Sequence, residues 1–216
     1  EDFIFFKTHS GLYEIANNPF TVSQNTRGII YIIRDPRDVC ISWSKHNGIT
    51  LDKSIEFMNN DYAYIDWPNF KSSSYIIDDQ IVPKSFLSSW EKHVLSWTSL
   101  KWKTPILILK YEDLIGDNKK KSLIKVFDFF KSLGMSQKLF NISKLNKVIK
   151  TTEFSNMKEL EKKHGFREAT IDSKTGKRLS FFNKGPKNNW KDQLDSNNRN
   201  KIEKTYSKLM QELGYL

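Results

Sequence analysis

The fold is indicated most strongly by residues 28–38, Gly28-Ile29-Ile30-Tyr31-Ile32-Ile33-Arg34-Asp35-Pro36-Arg37-Asp38. The run from Gly28 to Arg34 is apolar, β-branched and aromatic without alternation, which predicts a strand buried on both faces of a parallel sheet. Asp35 and Pro36 are a typical N-cap and first helical residue, so a helix is expected to follow at once and to end at Asn47-Gly48.

The rest of the chain alternates short apolar runs with helical patterns. Two further strands are expected at Phe3 to Lys7 and at Pro105 to Tyr111. Helices are expected at residues 53–60, 85–100, 119–133, 137–163 (in two stretches) and 197–213. Strands that alternate with helices predict an α/β layered fold with a parallel sheet.

The composition is that of a folded protein. Of 216 residues, 38% are hydrophobic and 13% aromatic, enough for a sizeable core. No apolar run reaches the ~18 residues of a membrane span. Cys40 is the single cysteine and fits a reducing compartment, and the four histidines lack metal-ligand spacing. We therefore expect a single cytoplasmic domain over residues 1–216, with no metal.

The chain is basic, with 35 Lys and Arg against 25 Asp and Glu and a formal net charge of +10. The Lys residues are spread through nearly every segment, whereas a duplex-binding domain concentrates them on one helix or arm. Most of this charge is therefore interpreted as a solvated face that contains a smaller basic pocket for a compact anion. No nucleic-acid partner is expected.

Arg34 marks a candidate anion site. It ends the predicted strand beside a helix N-terminus, whose free backbone N–H groups favour anions. Ser42 lies about a turn and a half into that helix, where its hydroxyl is expected to face the same anion. The alternative is a local charge cluster, in which Arg34 and Arg37 pair with Asp35 and Asp38.

Lys7 and His9 mark a second candidate site. They follow an apolar run and lie two residues apart, on the same side of an extended chain. A histidine with an ordinary pKa near ~6.5 is able to take a proton from an alcohol or amine. The alternative is a histidine that only caps a loop at the end of a strand.

Five short motifs are spread along the chain: Lys7-Thr8-His9, Arg34-Asp35-Pro36-Arg37-Asp38-Val39 with Ser42, Tyr111-Glu112-Asp113-Leu114, Thr152-x-Phe154-x-x-Met157, and Phe181-x-x-Lys184-Gly185 leading to Asn189-Trp190-Lys191. They occur in the order and approximate spacing of the cytosolic-type sulfotransferases, which the chain therefore resembles from about residue 5 to its C-terminus. The resemblance implies a three-layer α/β/α fold with a central parallel sheet, the P-loop NTPase-like sulfotransferase fold. It also implies 3′-phosphoadenosine 5′-phosphosulfate (PAPS) as donor and adenosine 3′,5′-bisphosphate (PAP) as product.

The resemblance further implies roles for individual residues. His9 would be the general base that deprotonates the acceptor, and Lys7 would lie beside the transferring sulfuryl group. Arg34 and Ser42 would bind the 3′-phosphate of the nucleotide. The adenine would be framed by Tyr111, Thr152 and Phe154, with Met157 nearby. The nucleotide would be covered by Phe181, Lys184 and Gly185.

The chain departs from the family pattern in three places. The family's phosphosulfate-binding loop, Pro-Lys-Ser-Gly-Thr-Thr-Trp in outline, does not occur in these 216 residues. We expect that the working protein has a further N-terminal piece; the alternative is that catalysis has been lost. Asn183 stands where the family usually has Arg. The family's dimer motif is not matched within Lys191 to Asn200, so the oligomeric state is left open.

The expected function is transfer of the sulfuryl group of PAPS to a hydroxyl or amine of a small-molecule or carbohydrate acceptor. The aromatic segment 61–84 is interpreted either as a lid over the acceptor site or as surface packing, and segment 164–189 as a loop that covers the nucleotide. Two rivals remain: a non-catalytic PAP- or PAPS-binding module, and a nucleic-acid-binding protein driven by net charge.

Overall fold

The computed structural model describes residues 3–15, 17–66, 84–99, 102–136, 141–166, 169, 176–182 and 189–216. The described strands are β1 (Glu14–Ile15), β2 (Asn18–Pro19), β3 (Ile29–Ile33), β4 (Tyr64–Asp66), β5 (Lys84–Phe86) and β6 (Ile106–Lys110). The described helices are α1 (Pro36–Asn47), α2 (Leu51–Met58), α3 (Trp90–Thr98), α4 (Tyr111–Ile115), α5 (Lys119–Ser132), α6 (Ile142–Thr151), α7 (Phe154–His164), α8 (Trp190–Gln193), α9 (Ser196–Thr205) and α10 (Ser207–Glu212). The fold is therefore mixed α/β, as expected.

The chain separates into two compact units. The first unit comprises residues 1–26 and 56–103, and the second comprises residues 27–55 and 104–216. No helix of the described part combines the length and the apolar character that a bilayer crossing requires.

The second unit is built on the parallel pair β3 and β6. Ile29 lies opposite Ile106 and Ile33 opposite Lys110, so the carboxyl ends of the two strands lie side by side. The two predicted strands and their parallel arrangement are confirmed here. The least exposed apolar residues of this unit are Ile33, Cys40, Ile41, Leu145, Ile202, Tyr206 and Met210.

Helix α1 begins and ends where the sequence predicted. The Asp35 carboxylate accepts a hydrogen bond from the Arg37 backbone N–H (2.9 Å), and Pro36 is the first helical residue. At the other end Gly48 adopts φ +63°, and its N–H donates to the Ser44 carbonyl. The start of α1 directly after β3 places this helix N-terminus at the carboxyl edge of the sheet.

The first unit contains two short antiparallel pairs, β1 with β2 and β4 with β5, together with α3. The chain before β1 is bonded to β5, since the Gly11 N–H donates to the Phe86 carbonyl (2.9 Å). Val94 and Trp97 are buried on α3, and the Trp97 ring packs against that of Phe20 with centroids 6.0 Å apart. The unit therefore places residues 9–12 between β5 and α3.

Two sequence predictions are wrong in the first unit. Residues 3–9 form no strand, and Ile4, Phe5 and Phe6 are 93%, 66% and 71% exposed. A strand buried on both faces needs neighbouring strands, and none of those described pairs with this segment. The helix expected from Ser85 begins at Trp90, because residues 84–86 pair with residues 64–66 instead.

Candidate functional site

Arg34 and Tyr111 meet at the carboxyl edge of the parallel pair. Because Ile33 lies opposite Lys110, the residues that follow them, Arg34 and Tyr111, are neighbours just beyond the two strands. The guanidinium carbon of Arg34 lies 4.6 Å from the centroid of the Tyr111 ring, a cation–π contact. Two residues from motifs 77 positions apart in sequence are thus adjacent in the fold.

Arg34 presents an unsatisfied donor. Its Nε is buried and has no hydrogen-bond partner among the described residues. Buried polar groups are nearly always hydrogen-bonded, so an orphaned donor calls for an explanation. An anion with oxygen acceptors, placed beside this guanidinium and the start of α1, would satisfy it.

In contrast, the guanidinium of Arg37 forms hydrogen bonds with other groups of the protein. Its Nε lies 2.9 Å from Asp35 Oδ1, its Nη2 donates to Asp35 Oδ2 (2.6 Å) and to the Tyr215 carbonyl (2.8 Å), and its Nη1 donates to Glu203 Oε1 (2.6 Å). The guanidinium also stacks on Trp190 at 3.9 Å. The charge cluster weighed as an alternative therefore forms between Arg37 and Asp35, while Arg34 makes no ion pair within the described residues.

Asp38 lies buried on the first turn of α1. Burial raises the pKa of its carboxyl to about 6, against the opposing effect of the Arg34 charge, while the carboxylates of Asp35 and Glu112 add to the rise. The Trp190 backbone N–H hydrogen-bonds the carboxylate, but Oδ1 has no partner in the part of the chain described. The candidate anion site thus contains a buried carboxyl whose pKa is raised to about 6.

Glu112 joins the two strand ends. Its Oε1 accepts the Asp35 backbone N–H (2.9 Å), and its Oε2 accepts the Tyr215 hydroxyl (3.2 Å). Burial and the neighbouring Glu112 charge raise the pKa of Tyr215, so this phenol stays a donor. The Tyr-Glu-Asp-Leu motif therefore contributes a ring beside Arg34 and a carboxylate that holds the start of α1.

The third motif region lies at the junction of α6 and α7. Thr152 is the C-cap of α6, and its hydroxyl donates to the Val148 carbonyl (2.7 Å). Lys119 Nζ donates to the carbonyls of Thr152 (2.9 Å) and Ile149 (3.2 Å), and burial lowers the pKa of Lys119. Phe154 begins α7, so the turn that carries both motif residues is fixed from α5.

Phe181 belongs to an aromatic cluster. Its ring centroid lies 4.5 Å from that of Phe166 and 6.0 Å from that of His46 on α1. The neighbouring Phe182 packs against Phe166 at 5.1 Å and against Phe154 at 6.2 Å. Ser42 precedes His46 by one turn on the same face of α1 and is exposed. Residues from the start of α7, from α1 and from 181–182 thus come together in the second unit.

Lys7 and His9 lie exposed in the first unit. The chain beside them is held by α3: His93 Nε2 lies 3.1 Å from the His9 carbonyl, Trp97 Nε1 donates to the Ser10 carbonyl (3.1 Å), and the Leu12 N–H donates to Ser96 Oγ (3.0 Å). Burial lowers the pKa of His93. The His93 contact was not anticipated, because none of the motifs found in the sequence includes this histidine.

Some expected site residues lie outside the described residues. They are Lys184 and Gly185, together with the variant position Asn183 and most of segment 61–84. Among the expected site residues that are described, Arg34 contacts Tyr111. Phe154 contacts Phe182, which follows the expected residue Phe181.

The chain belongs to the sulfotransferase domain family, whose model matches residues 1–214. That match extends over both compact units. Within the second unit, a helix N-terminus and an arginine at the carboxyl end of a parallel strand favour an anionic ligand.

Individual relatives are distant. The chain is 29% identical to luciferin sulfotransferase of Photinus pyralis over 154 residues (71% of this chain, 35% of that protein). It is 29% identical to sulfotransferase 2A2 of Rattus norvegicus (84% and 56%) and 28% identical to sulfotransferase 1B1 of Canis lupus familiaris (94% and 60%). The chain thus spans between about a third and three fifths of these proteins.

Among solved structures, mouse sulfotransferase SULT7A1 complexed with PAP is similar, with a TM-score of 0.60 and 24% identity over 89% of this chain and 61% of that one. At this identity the similarity establishes the sulfotransferase fold.

Proposed function

We propose that this protein binds PAPS and transfers its sulfuryl group to a hydroxyl or amine of a small-molecule or carbohydrate acceptor. The observation that carries the proposal is the pair of Arg34 and Tyr111 at the carboxyl ends of adjacent parallel strands, with a buried donor of Arg34 left unsatisfied. One relative, luciferin sulfotransferase, is named for a small-molecule acceptor.

The nucleotide would be held mainly by the second unit. Arg34 and Ser42 would bind its 3′-phosphate, since a guanidinium offers two parallel N–H donors to phosphate oxygens. The adenine would lie among Tyr111, Thr152, Phe154 and Met157. Phe181, Lys184 and Gly185 would cover the nucleotide, and Arg37 and Glu112 would keep the start of α1 in place.

The transfer step needs few chemical groups from the protein. When bound, the donor supplies the sulfuryl group on its 5′-phosphate. His9 would take the proton that the acceptor hydroxyl or amine loses, and Lys7 would neutralise charge on the sulfuryl oxygens. As in phosphoryl transfer, alignment and charge neutralisation are expected to provide most of the acceleration.

A PAP titration of the full-length protein tests this function. We expect binding, and expect Arg34→Gln to weaken it by about ten- to a hundredfold, the loss of charged hydrogen bonds. Arg27→Gln, which removes an exposed arginine of the same unit, should leave it within about twofold. No binding of PAP by the wild-type protein would refute the proposal.

Turnover separates the two remaining functions. The same protein is incubated with PAPS and a panel of small alcohols, phenols, amines and sugars, and release of PAP is measured. Acceptor-dependent release supports a sulfotransferase. Tight PAP binding without release for any acceptor would favour the alternative, a non-catalytic PAP- or PAPS-binding module.

A further inference from the structure

The Glu161 carboxylate accepts hydrogen bonds from three residues of the segment 180–182. Its Oε1 accepts the Phe181 backbone N–H (2.6 Å), and its Oε2 accepts the Phe182 N–H (2.9 Å) and the Ser180 hydroxyl (2.9 Å). Three donors from three consecutive residues thus converge on one side chain. No motif of the sequence includes Glu161.

The position of Glu161 on α7 gives these contacts a functional context. Phe154, Met157 and Glu161 follow one another at spacings of three and four residues, so they share one face of the helix. The first two belong to the set proposed to frame the adenine. Glu161 therefore attaches residues 180–182 to the same helix face that carries these side chains.

The aromatic packing agrees with this arrangement. Phe182, held by Glu161 through its N–H, lies 6.2 Å from Phe154. Phe181 and Phe182 both pack on Phe166, at 4.5 and 5.1 Å. A loss of the carboxylate would free two backbone N–H groups and loosen both rings relative to α7.

The charge state of Glu161 suits the role. Burial would raise the pKa of this carboxyl, but the hydrogen bonds from Phe181, Phe182 and Ser180 and the charge of Arg178 outweigh burial and lower it. Arg178 in turn donates to the Phe166 carbonyl (2.6 Å). Glu161 is thus an ionised acceptor at neutral pH, for which hydrogen bonds are strong.

We infer that Glu161 is a positioning residue for the nucleotide: its carboxylate fixes Ser180–Phe182 against α7, so that Phe181 is already placed beside the adenine-framing face when PAPS or PAP binds. This inference rests on the proposed function. It assigns to Glu161 no contact with the nucleotide itself, and its effect is preorganisation of the site.

The test compares Glu161→Gln with Glu159→Gln in the full-length protein. Glutamine keeps the shape but offers one acceptor oxygen in place of two, while Glu159 is exposed on the same helix and makes none of these contacts. We expect Glu161→Gln to raise the Kd of PAP and the KM of PAPS by about tenfold. The kcat at saturating PAPS should stay within about twofold, as should every parameter of Glu159→Gln.

Hydrogen exchange of the Phe181 and Phe182 amides gives a readout independent of activity, since it should accelerate in Glu161→Gln and stay unchanged in Glu159→Gln. If Glu161→Gln fails to fold, Ser180→Ala removes one of the three donors and should weaken PAP binding by about two- to threefold. PAP affinity at the wild-type level in the folded variants would overturn the inference alone. Absence of PAP binding by the wild-type protein would overturn the proposed function together with it.

Discussion

Arg34 and Arg37 lie three positions apart and differ in what satisfies them. Arg37 is buried with two carboxylates, a carbonyl and an indole ring around it, whereas Arg34 has a ring on one side and an orphaned Nε. The two arginines of one motif thus divide into a structural member and a member available to a ligand. The sequence named Arg34 for the anion, but it left open a charge cluster in which both arginines pair with the neighbouring aspartates.

Replacement of Asp38 is expected to stabilise the protein at neutral pH. Its pKa is raised from 3.8 to about 6 on folding, so the folded state binds the proton more tightly than the unfolded chain. The contribution of this group to stability is therefore full below pH ~4 and is lost as the pH rises through about 6. Asp38→Asn should increase the free energy of unfolding at pH 7.5 by about 1–3 kcal/mol.

Urea unfolding between pH 4 and 8 measures this effect. The difference between wild type and Asp38→Asn should vanish near pH ~4, and Asp192→Asn, at an exposed position on α8, should show none at any pH. An Asp38→Asn variant that is less stable than wild type at pH 7.5 would contradict the prediction.

Replacement of His9 tests the proposed base. Because general-base assistance contributes ~10²–10⁴-fold, His9→Ala should lower kcat by that factor. PAP affinity should stay within about twofold, since the proposed phosphate ligands are other residues. His164→Ala, at the exposed end of α7, is the matched control. Near wild-type turnover of His9→Ala would show that another group takes the proton.

At the scale of elements, α1 is hydrogen-bonded to the C-terminal part of the chain. Arg37 connects its first turn to Glu203 on α9 and to the Tyr215 carbonyl, and Glu112 connects it to α4. These contacts hold the helix N-terminus that forms the candidate anion site. The position of the site therefore depends on residues more than 160 positions downstream.

Loss of Arg37 is expected to be costly. Arg37→Met leaves Asp35 buried without its partner, and breaking a buried ion pair in this way costs about 3–5 kcal/mol. Arg199→Met removes an arginine whose side chain is 43% exposed and lies 3.9 Å from the same Glu203, and it should cost less than about 1 kcal/mol. Chemical unfolding of both variants measures the difference, and equal losses would contradict this account.

Elements with local signals could be predicted from sequence. α1 was placed at both ends, because Asp35-Pro36 and Asn47-Gly48 determine caps by their own backbone preferences. The helix at 85–100 was started five residues early, because a strand at 84–86 depends on a partner at 64–66 that no local pattern shows. Local chemistry predicts boundaries, whereas pairing between distant segments overrides it.

The site was predictable to the same extent. Arg34 and Tyr111 were named from their motifs, and their contact followed from the parallel pairing of two predicted strands. Glu161 and Glu203 were missed, because their partners lie 19 to 21 and 166 positions away and an isolated glutamate on a polar helix has no distinguishing pattern. Lys119 was missed for the same reason.

At the scale of the whole molecule, the net charge of +10 is a weak guide to a partner. A lysine-rich surface without a concentrated stripe should bind generic duplex DNA weakly and only at low salt. Titration of a short duplex at about 0.15 M salt should give a Kd far above that of PAP. Duplex binding tighter than PAP binding, with a steep salt slope, would favour the nucleic-acid reading.

The parallel register of β3 and β6 has a consequence for the comparison of sequences. Deleting one residue from either strand would shift one member of the Arg34–Tyr111 pair by about 3.3 Å along its strand and turn its side chain to the opposite face. Both residues would still be found by a motif search, yet they would no longer meet. Strand length is therefore as diagnostic of this site as residue identity. A relative that keeps both residues, but whose strand is one residue longer or shorter before the motif, is expected to have lost the site.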